Sequence, residues 1–144
     1  MLVQQILKSK ADDGVVTLAA SASVSEAAQM LAERKIGTIV ISNDGKTAEG
    51  ILSERDIVRE IAQKGVACMT DQLSEVMTTG VVTCGRADQV DDVLQKMTDG
   101  RFRHVPVVED GTLVGLISIG DVVKAKLAEL AMEKDALQGM IMGH

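Results

Sequence analysis

The chain contains the same short pattern twice, and this internal repeat limits the folds that it can adopt. The segment Gly50–Asp56, with the sequence GILSERD, recurs 65 residues later as Gly115–Asp121, with the sequence GLISIGD. In both copies an apolar run that begins at glycine ends in serine, and an aspartate follows three residues later. An amphipathic segment comes next in each half. The pattern therefore predicts a strand, a serine-capped helix start and a helix, formed twice.

The segments around this motif recur in the same order. Apolar periodicity and β-branched runs predict the elements of the first half. In chain order they are a helix within 1–10, a strand at 15–18, a helix after the capping box Ser23–Glu26, strands at 36–42 and 50–53, and a helix at 54–63. The second half repeats this order at 73–77, 80–84, 90–97, 102–108 and 115–118.

Each repeat is too short to bury a sufficient core by itself. We therefore predict an α+β fold in which two repeats pack as an intramolecular pair around a pseudo-two-fold axis. Each repeat should have a small, mostly three-stranded sheet and two main helices. The predicted limits are repeat 1 at 1–66, a linker at 67–72, repeat 2 at 73–130, and a C-terminal helix extension and tail at 131–144.

The charge and the residue types argue against several classes of function. The net charge of −6 disfavours general binding to nucleic acid or to an anionic membrane surface. Phe102 is the only aromatic residue, so stacked aromatic platforms for bases are not available. With no signal-peptide pattern and no apolar run of transmembrane length, we expect a cytoplasmic protein in which Cys68 and Cys84 are buried or free thiols. The sequence leaves open whether either cysteine has a redox role.

The repeated serine and aspartate have two interpretations. In the first, Ser53 with Asp56 and Ser118 with Asp121 are capping boxes that satisfy free N–H groups at helix starts. In the second, the helix start is a binding site, because its N–H groups and dipole attract anions and an aspartate there can accept both hydroxyls of a ribose. The motif alone does not decide between them.

Enzymatic and metal chemistry find little support in the sequence. No serine or cysteine has a recognisable histidine partner, and neither a phosphate-binding loop nor a dinucleotide fingerprint occurs. We therefore expect no enzymatic activity. Met140, Met142 and His144 include soft metal ligands, but a chain end with no further ligands nearby is a poor cage, so we expect no metal site.

The last helical pattern continues from Asp121 to about Gly139, further than its counterpart in the first half. Its apolar positions fall near one face and include Val123, Leu127, Leu130, Leu137 and Ile141. This face either packs on the core of its own chain or is buried against a second chain. The sequence leaves both alternatives open.

The repeat order, with glycine-apolar-x-serine-x-x-aspartate before the last helix of each half, resembles the cystathionine β-synthase (CBS) domain in its tandem form, the Bateman module. The resemblance covers residues 3–130, and the segments 36–41, 50–59 and 102–108 are similar to stand-alone bacterial CBS-pair proteins. It implies a non-enzymatic regulatory module that binds AMP, ADP, ATP, S-adenosylmethionine or NAD(H) and requires no other cofactor. It also implies a homodimer that acts on a regulated protein whose identity stays open. The alternative is a ligand-free dimerisation module that acts through protein contacts.

The resemblance also implies roles for individual residues. Asp56 and Asp121 would hold ribose hydroxyls, and Ser53 and Ser118 would contact ribose or phosphate. The residues implied at the adenine edge are Thr17, Thr38 and Ile39 for one site, and Thr83, His104, Val105 and Pro106 for the other. The residues implied at phosphate are Lys35, Arg55, Arg101 and Arg103.

The two repeats differ at positions that this resemblance assigns to the sites. Gly37 and Thr38 stand where the second repeat has Arg103 and His104, and Val40 stands where it has Pro106. We therefore predict two sites of different affinity, and the sequence leaves open whether both are occupied.

Overall fold

The computed structural model describes residues 1–10 and 14–141. The helices are α1 (Val3–Ser9), α2 (Val24–Arg34), α3 (Glu54–Lys64), a short 3-10 helix (Val66–Thr70), α4 (Leu73–Val76), α5 (Val90–Gly100) and α6 (Ile119–Ile141). The strands are β1 (Thr17–Leu18), β2 (Thr38–Ile41), β3 (Gly50–Ser53), β4 (His104–Glu109) and β5 (Thr112–Ser118). The motif is strand, cap and helix in both halves, as predicted.

The first half forms a three-stranded sheet in the order β1-β2-β3. β1 runs parallel to β2, with Thr17 opposite Val40, and β3 runs antiparallel to β2, with Ser53 opposite Thr38. Every residue of the central strand β2 is buried, in keeping with its continuous β-branched and apolar sequence. Helix α2 begins at Ser23, whose hydroxyl accepts the Glu26 N–H at 3.1 Å, as its capping box predicted.

The second half has a smaller sheet than the first. β4 and β5 form an antiparallel pair, with His104 opposite Ser118. Of the described residues 80–84, which were predicted to form a third strand, Cys84 alone pairs with β4, through an isolated parallel bridge to Val107. The reason lies just upstream, where Thr78 forms an antiparallel bridge with Ile51 of β3. The chain therefore first follows the sheet of the first half and reaches β4 only at Cys84.

The opening helix of each half packs in the hydrophobic core of the other half. Val3 and Ile6 of α1 are buried in the core of the second half, whereas Leu73 of α4 is buried in the core of the first half. Backbone bridges repeat this exchange, because Leu2 pairs with Gln89 and Ser23 pairs with Gln72. The halves therefore interlock as an intramolecular pseudo-two-fold pair, and the predicted fold class is confirmed. The residue limits predicted for the repeats stay a prediction.

Helix α6 begins in the core, and its later part is exposed to solvent. Val122 is fully buried, but Leu127, Leu130 and Leu137 are 63%, 55% and 60% exposed. The apolar face predicted on this helix is thus uncovered by its own chain over most of its length. None of the helices within the described ranges has the length and apolar character to cross a membrane.

Both cysteines are buried free thiols, as expected. Burial, and then the nearby charge of Asp88, raise the pKa of the Cys84 thiol to about 11. Because the thiolate is the reactive form, Cys84 is inert at neutral pH in the folded chain. Cys68 is 1% exposed and lies in the short 3-10 helix.

Candidate functional site

The first candidate cleft lies at the start of α3. The Asp56 N–H donates to the Ser53 hydroxyl at 3.2 Å, and the Ser53 N–H donates to Asp56 Oδ2 at 2.8 Å. This reciprocal pair is the predicted capping box, and it fixes the orientation of the Asp56 carboxylate. The helix start is also tied to the residue before β2 of the same half, because the Gly37 carbonyl accepts the Glu54 N–H at 2.9 Å.

The walls of this first cleft come from both halves of the chain. The bridge between Ile51 and Thr78 brings residues 78–82 to one side, and residues 101–104 form another side. The enclosed volume is about 470 Å³, within the range of roughly 300–1,000 Å³ that is usual for small-molecule sites. The predicted site residues that line it are Gly37, Thr38, Ser53, Arg55, Asp56, Arg101, Arg103 and His104.

The first cleft carries an excess of positive charge. Four arginines line it, namely Arg55, Arg59, Arg101 and Arg103, against the two carboxylates Glu54 and Asp56, which gives a formal charge of +2. Burial lowers the pKa of His104, which favours the neutral ring, so His104 is not counted in this charge. Asp56 Oδ1 lies 3.4 Å from the Arg59 guanidinium, whose side chain is 64% exposed. The cleft therefore combines one oriented carboxylate with several cations free to meet an anion.

The second cleft, at the start of α6, is built on the same motif but is occupied by the chain itself. Ser118 and Asp121 form the predicted capping box, with N···O distances of 2.9 and 3.1 Å. Lys10 places its ammonium 2.8 Å from Asp121 Oδ2 and 2.8 Å from the Leu116 carbonyl. Burial opposes ionisation of Asp121, but the hydrogen bonds from Lys10 and Ser118 outweigh it and hold the pKa of this carboxyl below its ordinary value. The enclosed volume is about 270 Å³.

A hydrogen bond on the pseudo-two-fold axis separates the two clefts. Thr38 Oγ1 and His104 Nδ1 are 2.9 Å apart, and the two residues occupy equivalent positions in the two repeats. Both residues line both clefts. The two clefts therefore share this contact as a common wall.

The sequence model of the CBS domain matches this chain twice, over residues 5–63 and 73–128. The chain belongs to the CBS domain family. It is similar to a solved CBS-domain protein from Agrobacterium tumefaciens, with 44% identity, a TM-score of 0.82, and coverage of 87% of this chain and 92% of that one.

Two further solved relatives of this CBS-domain pair contain ligands. A CBS domain protein from Pyrobaculum aerophilum, complexed with AMP, is 31% identical with a TM-score of 0.79, over 92% of this chain and 99% of that one. A CBS domain pair in complex with 5′-methylthioadenosine and S-adenosyl-L-methionine is 27% identical with a TM-score of 0.78, over 90% and 98%. Among curated relatives, the chain spans 72% of a 30%-identical mitochondrial CBS protein of Arabidopsis thaliana and 22–23% of several longer ones from that plant.

The CBS pair builds each cleft crosswise from its repeats. The segment 80–82 of the second half lines the first cleft with Asp56, and the segment 14–16 of the first half lines the second cleft with Ser118. The resemblance had grouped Thr17 with the Thr38 site and Thr83 with the His104 site. The exchange of opening helices explains the difference, because each opening strand follows a helix that packs on the opposite core.

Seven of the predicted site residues lie outside the linings of both clefts. They are Thr17, Lys35, Ile39, Thr83, Val105, Pro106 and Asp121. Asp121 is bonded to Lys10, which does line the second cleft. Ile39 and Val105 are fully buried in β2 and β4, and Thr17 is paired with Val40 in the first sheet. Lys35 is an exposed residue with a left-handed backbone, φ 54°, at the end of α2.

Two cations in the clefts were not predicted. Arg59 follows Asp56 by three residues, so helix periodicity alone puts both side chains on one face of α3. Lys10 is separated from Asp121 by 111 residues, and no local pattern connects them. Among the described residues, no cluster of three or more histidine, cysteine, aspartate or glutamate side chains is placed to hold a metal ion. Met142 and His144 of the metal alternative lie outside the described residues.

Proposed function

We propose that this CBS pair is a regulatory module that binds a phosphorylated adenosine nucleotide in the first cleft. The observation that carries the proposal is the oriented Asp56 carboxylate surrounded by four arginines. Asp56 Oδ2 is engaged by the Ser53 N–H, which leaves Oδ1 for the hydroxyls of a ribose once the exposed Arg59 turns away. The arginines then meet the phosphate, since guanidinium groups bind phosphate oxygens through paired hydrogen bonds.

The charge of this cleft favours some adenosine ligands over others. AMP, ADP, ATP and NAD(H) are anions and are attracted by a formal charge of +2. S-adenosylmethionine carries a net positive charge and is disfavoured by the same arginines. The AMP complex of the Pyrobaculum relative supports this choice, whereas the S-adenosylmethionine complex of the other relative supports the adenosine part alone.

We infer that the module is regulatory rather than catalytic. The Ser53 hydroxyl already accepts the Asp56 N–H, and the carboxylate is held as its reciprocal cap rather than as a base for a nucleophile. Binding would act by favouring one arrangement of the two halves, or of two chains, that a cytoplasmic partner protein recognises. Incubation with each nucleotide followed by product analysis tests this point, and turnover would refute it.

We further propose that the active form is a homodimer that buries the apolar face of α6. Leu127, Leu130 and Leu137 are more than half exposed on the single chain, and an apolar surface of this kind is characteristic of an interface. The same face is what the alternative of a ligand-free dimerisation module would use. The two functions differ in ligand binding, so a protein that dimerises but binds no nucleotide would favour the alternative.

Calorimetric titration of the purified chain tests the ligand proposal. We expect AMP, ADP, ATP or NADH to bind with favourable heat, and S-adenosylmethionine to bind more weakly than AMP. Arg101→Ala and Arg103→Ala should each weaken AMP more than adenosine, because both variants remove positive charge from the phosphate side. The matched control is Arg34→Ala, a basic residue in the last turn of α2. Absence of heat and of a thermal shift with all of these ligands would refute the proposal.

A further inference from the structure

We propose that Lys10 is the residue that decides which cleft takes a nucleotide: it occupies the ribose-binding carboxylate of the second cleft and closes that cleft to nucleosides. The inference rests on the nucleotide-binding function proposed above and adds a stoichiometry, one nucleotide per chain, with a named side chain as its cause.

The ammonium of Lys10 is held by two groups of the second half. It donates to Asp121 Oδ2 and to the Leu116 carbonyl, both at 2.8 Å. The side chains of Lys10 and Asp121 are 30% and 23% exposed, so solvent screens the pair only in part. Both acceptors belong to the motif that would recognise a ribose. A nucleoside entering here must therefore remove Lys10 from two partners at once.

The equivalent position in the first cleft shows what Lys10 replaces. Ile51 and Leu116 are equivalent residues of β3 and β5, separated by the 65-residue repeat. The Ile51 carbonyl accepts the backbone N–H of Thr78 at 2.9 Å, whereas the Leu116 carbonyl accepts the Lys10 ammonium. In the first half a backbone N–H thus satisfies the strand carbonyl, and Asp56 remains in the lining of its cleft. In the second half the Lys10 ammonium satisfies the equivalent carbonyl, that of Leu116, and also binds the Asp121 carboxylate.

The cations beside the two aspartates differ in how firmly they are held. Arg59 is 64% exposed and lies 3.4 Å from Asp56, so it can swing into solvent. Lys10 loses a charge-assisted bond and leaves a carbonyl unpaired when it moves, which weakens any competing ligand by about ten- to a hundredfold. The second cleft is also smaller, at about 270 Å³ against about 470 Å³. At concentrations that fill the first cleft, the second cleft stays closed.

Calorimetric titration of the full chain with AMP tests the inference. Wild type should bind one AMP per chain, and Lys10→Met, which keeps the length and apolar part of the side chain, should bind two. Lys8→Met, a change two residues away at an exposed lysine of α1, should bind one. In the Lys10→Met background, Asp56→Ala should leave one AMP, bound in the second cleft. Lys10→Thr serves as a second variant if Lys10→Met does not fold, as judged by circular dichroism.

The outcomes separate this inference from the proposed function. Two AMP per wild-type chain with affinities within threefold, or one AMP per chain for wild type and both folded Lys10 variants, would overturn the role of Lys10 and leave the nucleotide function intact. No binding to wild type or to any variant would reject the nucleotide function, and the Lys10 inference with it. AMP binding that appears only in the Lys10 variants would support the role of Lys10 and refute the assignment of the first cleft.

Discussion

Replacing Asp56 with asparagine should separate the two roles of this residue, as a helix cap and as a ligand for ribose. The asparagine carbonyl oxygen can still accept the Ser53 N–H, which now reaches Asp56 Oδ2 at 2.8 Å. The variant therefore keeps the capping box, removes the charge, and places an NH2 group where Oδ1 would face the ribose. It loses the interaction with the helix dipole and the charged acceptor for the ribose hydroxyls.

The two losses have different sizes. The dipole interaction of a partly buried acid in the first helical turn is worth about 0.3–1 kcal/mol, which corresponds to a fall in melting temperature of about 1–4 °C for a chain of this size. The ribose hydroxyls lose their bonds to a charged acceptor, which are worth about 1.5–3 kcal/mol each. Asp56→Asn should therefore weaken AMP binding by roughly a hundredfold or more while the fold remains nearly as stable.

Calorimetry with AMP and thermal unfolding without ligand measure the two effects on the same sample. The matched control is Asp92→Asn, which removes an exposed acid from the first turn of α5. It should reproduce a small change in melting temperature and leave the affinity for AMP unchanged. If Asp56→Asn lowers the melting temperature but keeps the affinity for AMP within threefold of wild type, Asp56 is only a cap, and the proposed position of the ribose is wrong.

Three further predictions concern stability and assembly. The folded-state pKa of Asp121 lies below its ordinary value of 3.8, so its ion pair stabilises the fold above that value. This stabilisation is lost as the pH falls through the folded-state pKa. In urea unfolding, Asp121→Asn should therefore be less stable than wild type at pH 7, and the difference should shrink below about pH 4. Leu127→Glu should convert the dimer into a monomer, as measured by light scattering. Ala136→Glu, on the opposite side of α6, should leave the dimer intact. Equal effects of the two variants would refute the assigned interface. Gly50→Ala should destabilise the fold by about 1–3 kcal/mol, because its Cβ would lie 2.9 Å from Met77 Cγ. Adding Met77→Ala to this variant should recover part of the lost stability. Additive effects of the two substitutions in chemical denaturation would contradict this packing.

The sequence predicted those features that depend on neighbours along the chain. The capping boxes Ser53–Asp56 and Ser118–Asp121 follow from a spacing of three residues, and both are present with the expected hydrogen bonds. The periodicity of α2, α5 and α6 likewise identified each helix. Local patterns of this kind carry the information because a helix brings residues three and four apart onto one face.

The features that were missed depend on contacts between distant segments. The strand expected at 80–84 forms only one bridge, because Thr78 pairs with Ile51 in the opposite half. Segments 14–16 and 80–82 line the clefts crosswise, whereas the resemblance grouped Thr17 and Thr83 with sites of their own repeats. Nothing within one repeat indicates that α1 and α4 exchange cores. The assignment of Asp56 and Asp121 to ribose stays a prediction that the variants above will test.

The inequality of the two clefts can be traced to one difference in length between the repeats. Leu7 and Met77 are equivalent, because each packs against the glycine that opens a motif segment, Gly115 and Gly50 respectively. Six residues separate Leu7 from Gly14, whereas two separate Met77 from Gly80.

The shorter connection brings its backbone onto the strand, where Thr78 and Ile51 exchange two hydrogen bonds of 2.9 and 3.0 Å. The longer connection includes Lys10, which reaches the equivalent strand with its side chain and bonds to Asp121 at the same time. A four-residue difference thus changes the partner of one carbonyl from an amide to an ammonium. That change supplies the cation that neutralises the second aspartate, and it leaves the first aspartate as the one available to a ligand. Deleting four residues from the longer connection should therefore have the same effect as Lys10→Met. In calorimetry, the number of AMP molecules bound per chain should rise from one to two. A folded deletion variant that still binds one AMP would show that the length of the connection is not the cause.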